Sequence, residues 1–238
     1  MVKTVVSNKD NVIDATTTIA ERAFQDIRQA IVEGKIPAGS KISEPELAKK
    51  YGISRGSLRD AIGRLEACNL VVRKANVGAR VIEMSSEQLL EIYDVREALE
   101  GMSARLAATY MSDSDIENLK SLLRQHSDDI KQEHGQAYFQ KEGDLDFHYR
   151  IVQGSKNNRL IGLLCDDLYY QMRLYRYQFG MRSQRATRAF VEHEHIVDAI
   201  ENRDGEMAEL LMRAHIRSSR KNIEKRLQDE AIVCSQKY

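Results

Sequence analysis

The stretch "EPELAKKYGISRGSLRDAIGRLEACNL", residues 44–70, decides the fold of the first third of the chain. Ser43 stands just before it as a candidate N-cap. Pro45 suits a first turn, and Glu46 follows Ser43 by three residues, as in a capping box. Gly52 ends this short helix. Ser54 then caps a second helix, in which Leu58, Ala61, Ile62 and Leu65 fall at helical spacing. Two short helices joined by a glycine-containing turn predict a helix-turn-helix. Downstream, "VVRKANVGARVIEM", residues 71–84, alternates around a basic turn and predicts a β-hairpin. Upstream, Ile19, Ala23, Ile27, Ala30 and Ile31 form one helical stripe that stops at Gly34.

The polar face of the second short helix carries chemistry. Arg55, Gly56, Ser57 and Arg59 occupy its N-terminal turn, off the apolar stripe. In a helix-turn-helix these positions enter the major groove. An arginine can bind guanine bidentately, and a serine can reach a phosphate. The hairpin adds Arg73, Lys74, Asn76 and Arg80, suited to backbone or minor-groove contact. Taken alone, a pair of arginines is a solvated basic surface. The order of helices, turn and basic hairpin favours DNA.

Charge is arranged in the same sense. The 238 residues carry 36 Lys/Arg and 36 Asp/Glu. Residues 17–82 hold 12 basic and 7 acidic side chains, a surplus of +5, whereas residues 83–238 hold 22 and 27, a deficit of −5. A basic front and an acidic rear place the polyanion partner at the front. The length suits two domains. An apolar fraction of 42% with 30% charged residues is that of a folded globular chain. No run reaches the roughly 18 apolar residues of a membrane helix, and the first 18 residues hold no apolar core of signal-peptide length. Three scattered cysteines, Cys68, Cys165 and Cys234, fit reduced thiols in a cytoplasm.

From residue 86 the pattern predicts six helices, over 86–110, 113–132, 135–153, 157–181, 185–202 and 204–228. They make an all-α bundle with short connections. Within it, "GDLDFHYRIV", residues 143–152, puts Asp144 and His148 one turn apart beside Phe147, Ile151 and Val152. His193 shares a stripe with Ile196, Val197 and Ile200. His215 continues a stripe of Met207, Leu211, Ala214 and Ser218. Three imidazoles and a carboxylate on inner faces form a good donor set for Zn²⁺, Ni²⁺ or Mn²⁺. A buried histidine is more often a satisfied core residue, and His126, with Leu119, Leu122 and Leu123, is inward as well. Periodicity alone therefore does not select the set. Arg96 lies with Leu89, Ile92, Tyr93, Leu99 and Leu106 on an apolar stripe. It needs an anion there, either Glu100 at i+4 (or an acid on another helix) or a ligand.

Residues 39–81 resemble the winged helix-turn-helix of the GntR family of bacterial regulators. The matching positions are Ser43, Glu44, Leu47 and Ala48, then Ser54, Arg55, Arg59, Ala61 and Leu65, and the wing glycine Gly78. The resemblance implies DNA contact through Ser43, Glu44, Ser54, Arg55, Gly56, Ser57, Arg59, Arg73, Asn76, Gly78 and Arg80. The sequence departs from the family pattern at Gly56, where Thr is frequent, and at Pro45, where some members carry Arg. Residues 86–228 look like the all-helical FCD effector domain of the FadR branch, within its shorter, VanR-like group. Metal-bearing members show D-x-x-x-H, then H-x-x-I-x-x-A-I, then a final histidine. By that resemblance Asp144, His148, His193 and His215 bind one divalent metal, zinc or nickel before manganese. His193 is preferred to His195, and His126 and His134 are left out. In the related domains the arginine of "DVREALE", here Arg96, faces the effector pocket, and Asn158 of "GSKNNRL" resembles another pocket position.

The fold expected is mainly α, a winged helix-turn-helix followed by a bundle of six or seven helices. The domains expected are an arm over 1–16, a DNA-binding domain over 17–83, a metal- and effector-binding, dimerising domain over 84–230, and a tail over 231–238. The resemblance implies a cytoplasmic regulator with no membrane partner, most often a repressor. It binds a palindromic double-stranded DNA operator as a homodimer. Its effector is a small carboxylate, a hydroxy- or tricarboxylate such as an acid of the methylcitrate route. The competing reading is a metalloenzyme whose bundle site activates water, with the front domain as an accessory.

Overall fold

The computed structural model describes residues 18–74, 77–132, 143–179 and 186–235, apart from the side chains at several helix ends. The expected arm over 1–16, Asn76 and residues 236–238 of the expected tail fall outside the described residues, while 231–235 continue the last helix.

Three helices open the fold: α1 (Ile19–Val32), α2 (Glu44–Tyr51) and α3 (Arg55–Ala67). Thr18 caps α1 by accepting from Glu21 N, and Ser54 caps α3 by accepting from Ser57 N. The capping box expected at Ser43 is not made. Ser43 sits at the N-cap of α2, but its side chain accepts no capping bond. Pro45 lies in the first turn, where a missing N–H costs nothing. Gly52 closes α2 at φ 65°, a left-handed conformation that suits glycine. Strands β1 (Val71–Lys74) and β2 (Gly78–Val81) pair antiparallel, Val71 with Val81. Ile42 donates to Ala79 O at 2.8 Å, which ties the segment before α2 to the wing. Ala23, Phe24, Ile27, Ile31, Leu58, Ile62, Leu65, Leu70 and Val81 form one core.

The remaining chain is helical: α4 (Ser86–Tyr110), α5 (Asp113–Gln132), α6 (Gly143–Gly154), α7 (Asn158–Leu163), α8 (Tyr169–Phe179), α9 (Ala186–Glu201) and α10 (Gly205–Ser235). A full capping box, Ser85 with Gln88, starts α4. The helix expected over 157–181 is interrupted. A π-helical turn, Leu164–Leu168, joins α7 to α8 without a break in the rod. Residues 135–142 of the expected third helix lie outside the described residues. α10 runs past the expected end at residue 228 to Ser235.

α4 packs along α10, and α6 and α9 close on α4. Gly101 admits this approach, since a Cβ there would meet Arg213 Cγ at 2.6 Å. The buried line of α10 is Ala208, Met212, His215, Ile216 and Ile223. The expected stripe-mates Met207 and Ala214 are exposed instead, and Leu211 and Ser218 are half-buried. The buried line runs one residue C-terminal to the expected one because α10 turns its Ala208–Met212 edge toward the common core.

Helix α8 serves two cores. Leu174 joins the core of α1 and α3, while Met172 and Tyr175 join that of the bundle. The Arg28 guanidinium of α1 lies 4.2 Å from the Tyr170 ring centroid. Asn69 Nδ2 donates to Asp167 Oδ1 at 3.3 Å.

Candidate DNA-reading face and candidate metal centre

Helix α3 buries Leu58, Ala61, Ile62 and Leu65 and turns Arg55, Gly56 and Arg59 outward, with Ser57 half-buried. Arg59 Nε meets Glu44 Oε2 at 3.2 Å, which links the starts of α2 and α3. Ser54 and Ser57 are tied to each other at the cap, their hydroxyl oxygens 3.0 Å apart. On the wing, Arg73 Nε lies 3.7 Å from Glu66 Oε2. Arg80 turns inward and donates to Gly39 O at 2.9 Å. Gly78, at φ 91°, opens β2. Arg55, Arg59 and Arg73 thus share an exposed basic surface, while Arg80 is engaged with the backbone of its own domain.

Within the bundle, α6, α9 and α10 bring His148, His193 and His215 together. All three are buried, at 1%, 0% and 2% exposure. One nitrogen from each lies within 4.8 Å of the others. His193 Nε2 and His215 Nε2 face each other at 3.2 Å. The Phe147 ring stacks on His193 with centroids 3.9 Å apart, which fixes that imidazole's plane. Asp144 lies on the backbone of α6, and its side chain is outside the described ones. His195 is exposed, and His126 is buried outside this group.

Two carboxylates approach the rings from outside. Glu192 Oε2 lies 2.7 Å from His215 Nδ1. Glu100 Oε2 lies 2.6 Å from His148 Nδ1, close but not aligned as a hydrogen bond. The other oxygen of Glu100 accepts from Arg96 Nε at 2.5 Å. Arg96 is therefore paired within its own helix at i+4, the first of the two partners its burial demanded. Its Nη2 is nevertheless buried with no hydrogen-bond partner. The Tyr93 and Tyr169 rings flank the guanidinium at 4.9 and 5.9 Å.

Burial would raise the Glu100 pKa, but the Arg96 charge and then His148 outweigh it and bring the carboxyl down to about 2. Burial also works against the Arg96 charge, and Glu100 more than offsets it. Burial, reinforced by Glu100, pushes the Tyr169 phenol well above its usual range. Asn158 does not join this group. It is exposed in the first turn of α7, and its neighbour Asn157 supplies the cap by accepting from Arg159 N and Leu160 N.

Three buried imidazoles with converging nitrogens suit a borderline divalent cation, and the set could hold a metal ion. Glu100, Glu192 and Tyr169 escaped the sequence reading as parts of this centre. Glu100 signalled itself only as the i+4 partner of Arg96. Nothing in local spacing points Glu192 at a helix 23 residues away.

A winged helix-turn-helix joined to a helical domain defines a class of DNA-binding regulators. The chain belongs to the GntR family of bacterial regulatory proteins: that family's profile matches residues 19–81, and the FCD domain profile matches residues 91–218. It is a DNA-binding transcription regulator, and the metalloenzyme reading falls away. Similar proteins include the HTH-type transcriptional regulator BphR of Paraburkholderia xenovorans, 29% identical over 85% of this chain and 84% of the relative. The gluconate operon transcriptional repressor of Bacillus subtilis is 26% identical over 77% and 76% of the two chains. Among solved structures, Escherichia coli McbR/YncC superposes with a TM-score of 0.71 at 20% identity, over 88% of this chain and 99% of that one. A GntR regulator from Rhodococcus sp. RHA1 gives 0.67 at 20% identity, over 87% and 97%. Among the described residues, no helix is long and apolar enough to cross a membrane.

Proposed function

We propose that the protein is a metal-dependent sensor of a small organic acid that controls a palindromic operator as a homodimer. The domains act over 17–83 for DNA and 84–230 for metal, effector and dimerisation. The observation that carries this reading is the chain of contacts from the three histidines through Glu100 to Arg96, which ends on an unpartnered, buried Arg96 Nη2. His148, His193 and His215, with Asp144 as the fourth donor, would hold one divalent ion, zinc or nickel before manganese. The ion would supply an electrophilic centre for a ligand oxygen. Arg96 Nη2 would receive a carboxylate oxygen of the same molecule. A hydroxy- or tricarboxylate has both groups at this scale, and an acid of the methylcitrate route is one such compound.

At the other end, Arg55 and Arg59 read bases or phosphates. Ser54, Ser57, Ser43, Glu44 and Gly56 shape the helix starts around them, Arg73, Gly78 and Arg80 belong to the wing, and Asn76 is proposed as a further DNA contact. A single winged helix covers a half-site, so a two-fold dimer follows from a palindromic operator. Helix α8 supports coupling between the ends, because Tyr169 lies against the Arg96 group while Tyr170 and Leu174 engage the DNA-binding domain. An effector acts here only through its different affinity for the two states. The mode proposed is repression in the cytoplasm. The test is operator release from metal-loaded protein by a panel of hydroxy- and tricarboxylates. Release by none of them would remove the acid-sensing reading.

A further inference from the structure

Consecutive residues of α9 engage opposite nitrogens of one ring on α10. Glu192 Oε2 is 2.7 Å from His215 Nδ1, and His193 Nε2 is 3.2 Å from His215 Nε2. A carboxylate can only accept, so the hydrogen at this contact belongs to Nδ1. A neutral imidazole that keeps its proton on Nδ1 presents a bare lone pair on Nε2. That nitrogen is the one aimed at the centre of the histidine group. The carboxylate is itself held, because Arg188 Nε lies 3.2 Å from Glu192 Oε1.

We infer that Glu192, which is not one of the metal donors, is the positioning residue that sets the tautomer and plane of His215 for metal binding. The inference rests on the metal reading above and adds a residue to it. Without Glu192, either nitrogen of His215 can carry the proton, and Nε2 is no longer held bare. Outer carboxylates of this type typically change metal affinity about 10–100-fold. Glu100 stands in the same relation to His148, but it also neutralises buried Arg96, so its removal would disturb more than one ring. Glu192 is 22% exposed, and Arg188 beside it is 76% exposed.

The experiment uses the full-length protein with Zn²⁺ and a competing chromophoric chelator. Glu192→Ala, Glu192→Gln and His215→Ala are compared with the wild type, and circular dichroism checks each fold. Metal-free protein with ¹⁵N-labelled histidine reports the His215 tautomer by two-bond ¹H–¹⁵N correlation. The wild type should show a protonated Nδ1. Glu192→Ala should lose 10–100-fold in Zn²⁺ affinity and mix its tautomers. Glu192→Gln, whose amide oxygen still accepts, should fall between. If His215→Ala loses the ion but Glu192→Ala binds it like the wild type, the role of Glu192 is overturned while the metal centre stands. If the wild type binds no Zn²⁺, both are overturned.

Discussion

Arg96 and Glu100 form a salt bridge of 2.5 Å one turn apart on α4, with exposures of 1% and 0%. Their burial makes the pair a poor target for simple truncation. Removing Arg96 would strand the Glu100 charge beside His148, and such stranding costs about 3–5 kcal/mol. Arg96→Ala should therefore destabilise the bundle by that order. Arg96→Lys should keep the pair and most of the stability while losing the planar fork that receives a carboxylate. Urea unfolding of both variants, beside their response to acid, separates the structural from the sensing part. Equal stability for Arg96→Ala and wild type would remove the pair from the core.

On the DNA-reading face, Arg55→Ala should weaken operator binding by about 1–3 kcal/mol if it contacts a base. Arg59→Ala should do the same less fully, because Arg59 must first leave Glu44. Binding should also fall steeply with salt as phosphate contacts release counterions. Footprinting at several salt concentrations reads both effects. Unchanged affinity in both variants would remove α3 from the interface.

Leu174 tests whether α8 belongs structurally to the DNA-binding domain. It is 1% exposed and packs in the core of α1 and α3, although it lies far downstream of both in the chain. Leu174→Ala should cost about 2–5 kcal/mol. Amide exchange should rise in α1 and α3 as well as in the bundle. Exchange confined to the bundle would refute the shared packing.

Acid stability offers another check, at Glu97. Its hydrogen bond to Arg217, at 2.6 Å, lowers its pKa below the usual value, burial opposing. A depressed folded pKa means the stabilisation is complete above the unfolded value and is lost as pH falls through the folded one. Glu97→Gln should therefore be less stable than wild type near neutrality, and the gap should close in acid. A gap that is constant with pH would contradict the assignment.

The sequence was most readable where a local rule and the tertiary packing agree. Ser54, Gly52 and the Leu58–Leu65 stripe define α3 in isolation, and α3 forms where they place it. His193, with Ile196 and Val197, reads as inward and is inward. The π turn at Leu164–Leu168 is illegible because its sequence, Leu-Cys-Asp-Asp-Leu, holds no Gly or Pro to mark a break. The exact stripe of α10 was missed by one residue, since both neighbouring lines carry apolar side chains and contact with α4 chooses between them. Glu192 and Tyr169 acquire meaning only when separate helices meet.

In the proposed function, the ion and Arg96 together receive the effector. The most direct measurement is release of operator DNA by a hydroxy- or tricarboxylate, followed by fluorescence anisotropy for metal-loaded wild type, metal-free wild type and His215→Ala, with metal content from elemental analysis. Loaded wild type should release DNA at the lowest acid concentration. His215→Ala should contain little metal, bind the operator normally and respond poorly. Equal release from loaded and metal-free protein, or a full complement of metal in His215→Ala, would contradict it.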